Sequence, residues 1–204
     1  MRPSRWSVSG GFLLLWAFLY YMDESGLVPM AAAAGLCHEL GHVLAVRLWG
    51  GRIGTVRLTC AGAELRVRGP RMGERLPRLT TALAGPAVNL LLALGTARLA
   101  PWAGERGAVF AGLNLTLGCF NLLPVGALDG GRALRALLPL RWEGTARGIS
   151  GGLSVLLSAA GFLLMLHTGN PTLFLTGGWL ALLAVRGERE EASGQKMLAI
   201  GWKM

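Results

Sequence analysis

The segment "SGLVPMAAAAGLCHELGHVLAV", Ser25 to Val46, decides how this chain is read. It is long and apolar enough for a membrane helix, which needs roughly 20 residues to cross about 30 Å of hydrocarbon. Yet it carries His38, Glu39 and His42. An ionisable group near the bilayer centre costs about 3 kcal/mol on insertion scales, so three of them close together demand compensation.

Reading outward, the same pattern of long apolar runs recurs. Trp6 to Met22, Leu79 to Ala97 and Gly107 to Leu128 carry no charge, and Gly148 to Val185 is broken only by His167 in "HTGNPT". Gly169, Asn170 and Pro171 mark a turn there, so the last run holds two spans. Hydrophobic residues make up 52% of the 204 and charged ones 15%, with a mean hydropathy of +0.48, a membrane composition. The fold class is therefore an all-α polytopic membrane protein with about six transmembrane helices, near 6–22, 27–49, 79–97, 107–128, 148–166 and 171–186. Residues 1–186 form one membrane domain, and 187–204 a short cytoplasmic tail. Arg2 and Arg5 before the first run also fit a signal peptide, but "YYMDESG" lacks a small-x-small cleavage site.

The net charge of +9 would raise nucleic acid as a partner in a soluble protein. Its placement gives a different account. With the amino terminus in the cytoplasm, only Arg98 and Arg106 of the 20 Lys and Arg residues fall in outer loops. This positive-inside bias reads as topology and attraction to anionic lipid, with no nucleic acid. Cys37, Cys60 and Cys119 lack CxxC spacing and read as small apolar residues.

Between the second and third spans, "RIGTVRLTCAGAELRVRG" alternates Val56 and Leu58, then Leu65 and Val67, around "CAGAE". This predicts a small β-hairpin, with a solvated basic loop as the plainer reading of its arginines.

On a helix, His38 and His42 lie four residues apart on one face, where two neutral imidazoles can bind one ion. Glu39 can take a proton from metal-bound water, the chemistry of the H-E-x-x-H pattern in zinc proteases. A polar network between helices is the structural alternative. A catalytic zinc takes a third protein ligand. His167 is one candidate, although it falls in the predicted outer turn. Asp129, in "NLLPVGALDGG", is the stronger one: it closes an uncharged span, and Pro124 with Gly126 breaks the helix, as is tolerated beside a buried cavity. In "AGPAVN", Ala84 to Asn89, Gly85 and Ala87 permit close helix approach and Pro86 loosens the backbone. Asn89 is then either an interhelical hydrogen bond or a site residue.

"HELGH", "AGPAVN" and "NLLPVGALDGG", in this order and spacing, resemble the site-2 proteases, intramembrane zinc metalloproteases. The resemblance rests mainly on spans two to four. It implies zinc held by His38, His42 and Asp129, Glu39 as general base, and Asn121 in the substrate groove or assisting the oxyanion, with Asn89 as a further substrate-binding candidate. Gly130 and Gly131 would let the chain turn after Asp129. The layout is similar to the compact six-span branch that includes a sporulation protease acting on a membrane-associated pro-sigma factor. That protease carries a C-terminal CBS domain, for which the tail after Arg186 is too short.

The expected enzyme is thus a zinc-dependent endopeptidase of a bacterial cell membrane, acting on a membrane-tethered protein substrate, with a membrane regulatory partner in prospect. Two other classes compete: an inactive scaffold that keeps the cluster as a polar core, and a metal permease. The permease needs polar groups along a path, and His167 is the sole ionisable residue of the last two spans.

Overall fold

The computed structural model describes residues 6–59 and 62–182. Arg2, Arg5, Cys60, the last four residues of the expected sixth span and the tail 187–204 lie outside them. The described residues contain seven helices and one three-stranded sheet. They belong to two compact units, one ending at Leu122 and the other beginning at Leu123.

The first unit opens with strand β1 (Trp6–Val8), followed by helix α1 (Gly10–Met22). Ser9 divides them: its N–H donates to the Leu58 carbonyl at 2.9 Å and its Oγ accepts from Phe12 N–H at 3.1 Å, capping the helix. The run expected to begin a helix at Trp6 therefore gives a strand first, and α1 is 13 residues, about 20 Å long.

Helix α2 (Leu27–Leu48) follows. Its start is fixed by Asp23, whose carboxylate accepts from Val28 N–H at 2.8 Å, Leu27 N–H at 3.1 Å and the Ser25 hydroxyl at 2.9 Å. Gly26, at φ 74, takes the left-handed turn that brings the carboxylate under those amides.

Strands β2 (Arg52–Thr59) and β3 (Gly62–Arg68) pair antiparallel, Val56 opposite Leu65, with Gly54 as the extra residue of a bulge. The hairpin is present, and the sheet is larger than expected. β1 joins β2 in parallel, Trp6 beside Val56, so β2 is central and β3 lies at an edge. Trp49 fastens the following turn, donating from Nε1 to Thr80 Oγ1 at 2.7 Å while the Arg71 guanidinium stacks 4.7 Å from its ring centre.

Helix α3 (Arg75–Arg98) carries Pro86 internally, and helix α4 (Ala100–Asn121) breaks at Gly104, whose φ of 63 is non-helical. α3 packs on both α2 and α4. Small residues set the approach: a Cβ on Gly41 would lie 2.7 Å from the Ala84 carbonyl oxygen, and one on Gly118 would lie 3.2 Å from the Asn89 Cβ.

In the second unit the chain stays irregular from Leu123 to Leu128 and then forms α5 (Asp129–Leu137), a 3₁₀ turn (Leu140–Trp142), α6 (Glu143–Thr168) and α7 (Thr172–Leu182). The helical part of the run expected at 107–128 thus ends at Asn121. Two expectations about its far end are corrected. Asp129 opens a helix instead of closing one, and Gly130 and Gly131 are buried helical residues, not a turn. The reason is packing: a Cβ on Gly131 would collide with the Val125 carbonyl and sit 2.8 Å from the Gly126 Cα.

Helices α2, α3 and α6 are long and apolar enough to cross a membrane; α1 and α7 are shorter apolar helices. Their large side chains point outward, as with Leu14 at 74% exposure and Leu48 at 77%. Outward apolar surface on this scale suits lipid as the solvent.

Candidate metal centre

In the first unit, α2 presents His38 and His42 to α3, both buried. Each ring is held through Nδ1. His42 Nδ1 donates to the Thr81 carbonyl at 2.7 Å. This carbonyl lies one residue before Ala82, the i−4 position that Pro86 cannot serve as a donor. His38 Nδ1 donates to Asn89 Oδ1 at 2.5 Å. The orientation of the Asn89 amide follows from its other bonds, since its Nδ2 donates to the Ala34 carbonyl at 3.1 Å and to Asn114 Oδ1 at 2.8 Å.

These bonds fix the tautomers. Both Nδ1 atoms face acceptors, so each neutral ring carries its proton on Nδ1 and a lone pair on Nε2. The two Nε2 atoms lie 3.1 Å apart. Two nitrogens bound tetrahedrally at zinc distances would lie about 3.3 to 3.4 Å apart, so the pair needs little adjustment. Gly85 guards the same point: a Cβ there would collide with His42 Nε2 and lie 2.8 Å from His38 Nε2.

Glu39 follows His38 on α2 and is half-buried. Asn89 and Asn114 are fully buried. Both ends of the Asn89 amide are engaged by protein groups on α2 and α4. Asn121, at the end of α4, donates to the Leu117 carbonyl at 2.9 Å and stays half-buried.

The second unit presents Asp129, buried, at the first position of α5, where the positive helix end favours a carboxylate. Arg132 pairs with it at 3.1 Å. The preceding loop is tied down on both sides. Gly126 N–H donates to Ser150 Oγ at 2.6 Å, and Arg135 Nη2 donates to the Gly126 carbonyl at 2.8 Å. His167 lies in the exposed last turn of α6.

His38, His42 and Asp129, all buried, form a group that could hold a metal ion. Among the described residues no other group of three such side chains qualifies. Sequence reasoning did not single out Asn114, Ser150 or Arg135. An amide in the middle of an uncharged run was the available signal for Asn114.

Several known proteins are similar to this chain. Residues 106–167 match the profile of Peptidase family M50. Rip3 of Mycobacterium tuberculosis, which carries zinc metalloprotease in its name, is 31% identical over 209 residues, taking in 90% of this chain and 51% of that protein. Zinc metalloprotease MJ0392 of Methanocaldococcus jannaschii is 30% identical over 138 residues, 63% of this chain and 37% of that protein. The solved structure of a site-2 protease from Methanocaldococcus jannaschii superposes with a TM-score of 0.65 at 25% identity, covering 86% of this chain and 85% of that one. The chain spans about half the length of Rip3. It is similar to the site-2 proteases of family M50 in sequence and in fold.

Proposed function

We propose that this chain is an intramembrane zinc metalloprotease, hydrolysing a peptide bond in or near a membrane-tethered segment of another protein and releasing a cytoplasmic product such as a transcription or sigma factor. The observation that carries the reading is the buried group of His38, His42 and Asp129, in which the two Nε2 atoms lie 3.1 Å apart while both Nδ1 atoms bond protein oxygens. The likeness to the site-2 proteases supports it.

In this reading His38, His42 and Asp129 hold the metal. Bound there, zinc would bring the pKa of a water ligand toward about 7 and polarise the scissile carbonyl. Glu39 takes up a proton as general base and returns it to the leaving amine. Arg132, beside Asp129, compensates the carboxylate's charge. Asn121 lines the substrate groove or donates to the developing oxyanion. A substrate helix hides its amides in its own hydrogen bonds and must unwind before attack. Strand β3 offers an edge on which the unwound segment can add as a further strand. His42 stands about 7 Å along α2 from Arg47, so the scissile bond lies near the end of α2 that leads to the sheet. With the amino terminus in the cytoplasm of a bacterial cell, that end is the cytoplasmic one.

Co-expression with a tethered test substrate, comparing wild type and Glu39→Gln while measuring bound zinc, tests this. Retained zinc with cleavage lowered about 10² to 10⁴-fold is expected. Equal cleavage by both proteins rules the mechanism out and leaves the scaffold or permease readings.

A further inference from the structure

A chain of buried amides runs from the candidate metal centre across three helices. His38 Nδ1 on α2 bonds Asn89 Oδ1 on α3; Asn89 Nδ2 bonds Asn114 Oδ1 on α4; Asn114 Nδ2 bonds the Phe110 carbonyl at 2.9 Å. Asn89 and Asn114 are both at 0% exposure. Gly118 lets α4 come close enough at Asn89 for this contact. Each link has one direction only, because the chain terminates on a backbone carbonyl that can only accept.

We infer that Asn114 is a positioning residue for the metal centre, acting through Asn89 to keep the His38 proton on Nδ1 and its lone pair on Nε2. This rests on the zinc reading. The argument turns on what a flipped Asn89 amide would do. Its Nδ2 would face His38 Nδ1, forcing that nitrogen to accept and moving the ring proton to Nε2, where it would block metal binding. Two acceptors oppose the flip: the Ala34 carbonyl and Asn114 Oδ1 would each meet an oxygen. The Ala34 carbonyl belongs to the same helix as His38 and is present in any folded form. Asn114 is the one contribution that α4 makes to the orientation. Buried polar groups in a membrane helix are kept where a partner repays their desolvation, and here the repayment reaches a metal ligand two bonds away.

The test compares wild type, Asn114→Leu and Asn114→Asp by zinc affinity under chelator competition and by the visible absorption of the cobalt(II)-substituted protein. Leu removes the acceptor that Asn89 needs. Asp, neutral in so buried a site, keeps it and can still donate from its hydroxyl to the Phe110 carbonyl. Asn114→Leu should bind zinc about tenfold more weakly, at the low end for outer-shell partners, with an altered cobalt spectrum, and Asn114→Asp should restore both. Should the Leu variant not fold, Asn114→Ala serves the same comparison. Wild-type affinity and spectrum in Asn114→Leu, or equal loss in the Leu and Asp variants, overturns the relay while leaving the zinc reading standing. A wild-type protein that binds neither metal overturns the zinc reading and the relay with it.

Discussion

Replacing Gly85 by alanine separates a metal centre from a mere polar core. A methyl group there would overlap His42 Nε2 and lie 2.7 Å from His42 Cε1 and 2.8 Å from His38 Nε2. Carbon contacts are comfortable at about 3.5 Å, so α3 must retreat by roughly 1 Å or both rings must rotate. Rotation strains the Nδ1 bonds to Thr81 and Asn89; retreat strains the packing of Gly41 on Ala84. Overpacking of this kind costs about 1–3 kcal/mol. Against it stands the gain of about 1 kcal/mol for Ala over Gly inside a helix. The net change in stability is therefore about 0–2 kcal/mol, whereas the loss of metal affinity falls on the two ring nitrogens. Zinc affinity of the detergent-solubilised protein, measured by chelator competition, should drop at least tenfold, with a thermal midpoint close to wild type. Gly95→Ala on the same helix, where a Cβ meets nothing within 4 Å, should leave zinc binding untouched. If Gly85→Ala binds zinc as tightly as wild type, the inference that the ion sits at the two Nε2 atoms is wrong.

Three further expectations can be measured. Removing the Ser150 hydroxyl with Ser150→Ala leaves the Gly126 amide without its acceptor and should destabilise the second unit by about 1–3 kcal/mol, read from denaturation of the purified protein. Asp23 is subject to desolvation, which raises its pKa, but hydrogen bonds from Val28, the Ser25 hydroxyl, Leu27 and the Ser25 amide outweigh this and hold it below the ordinary value of 3.8. Its folded pKa is depressed, so its contribution is present above 3.8 and lost as pH falls through the lower folded value. Asp23→Asn should accordingly lower the melting temperature at pH 7, and the difference from wild type should vanish in strong acid; a difference constant with pH would contradict the assignment. Finally, single prolines placed in turn from Ala63 to Val67 should slow cleavage at alternate positions of a folded protein, whereas unchanged cleavage throughout sinks strand addition at β3.

Much of this was legible in the residues themselves. Helix α2, Leu27–Leu48, falls within the run expected at 27–49, because a dense apolar run between charged and turn residues leaves few alternatives. The hairpin followed from alternation in Val56, Leu58, Leu65 and Val67. What escaped depends on distant partners. Trp6 to Val8 is uncharged like the helix after it, and its pairing with Val56 to Leu58 makes it a strand. Asp129 looked like the close of a span because it ends an uncharged run, and the glycines after it read as a turn. Tertiary packing of Gly131 on Val125 overrides glycine's poor helix propensity. Asn89 could be narrowed to two roles and no further, since the choice lies with Asn114, 25 positions away.

The parallel pairing of β1 with β2 has a consequence for how the chain is threaded. Trp6 lies before α1 and Val56 lies after α2, and their strands are neighbours in one sheet. Both must end on the same side of the bilayer, so the number of crossings between Ser9 and Arg52 is even. If α2 crosses the membrane, α1 has to carry the chain across as well, although it measures only about 20 Å. The lipid or the helix must accommodate a deficit of about 10 Å, so the bilayer beside α1 is expected to be thinned. The sheet thus acts as a parity check on insertion: a chain that enters with one crossing too few cannot join its first strand to its second.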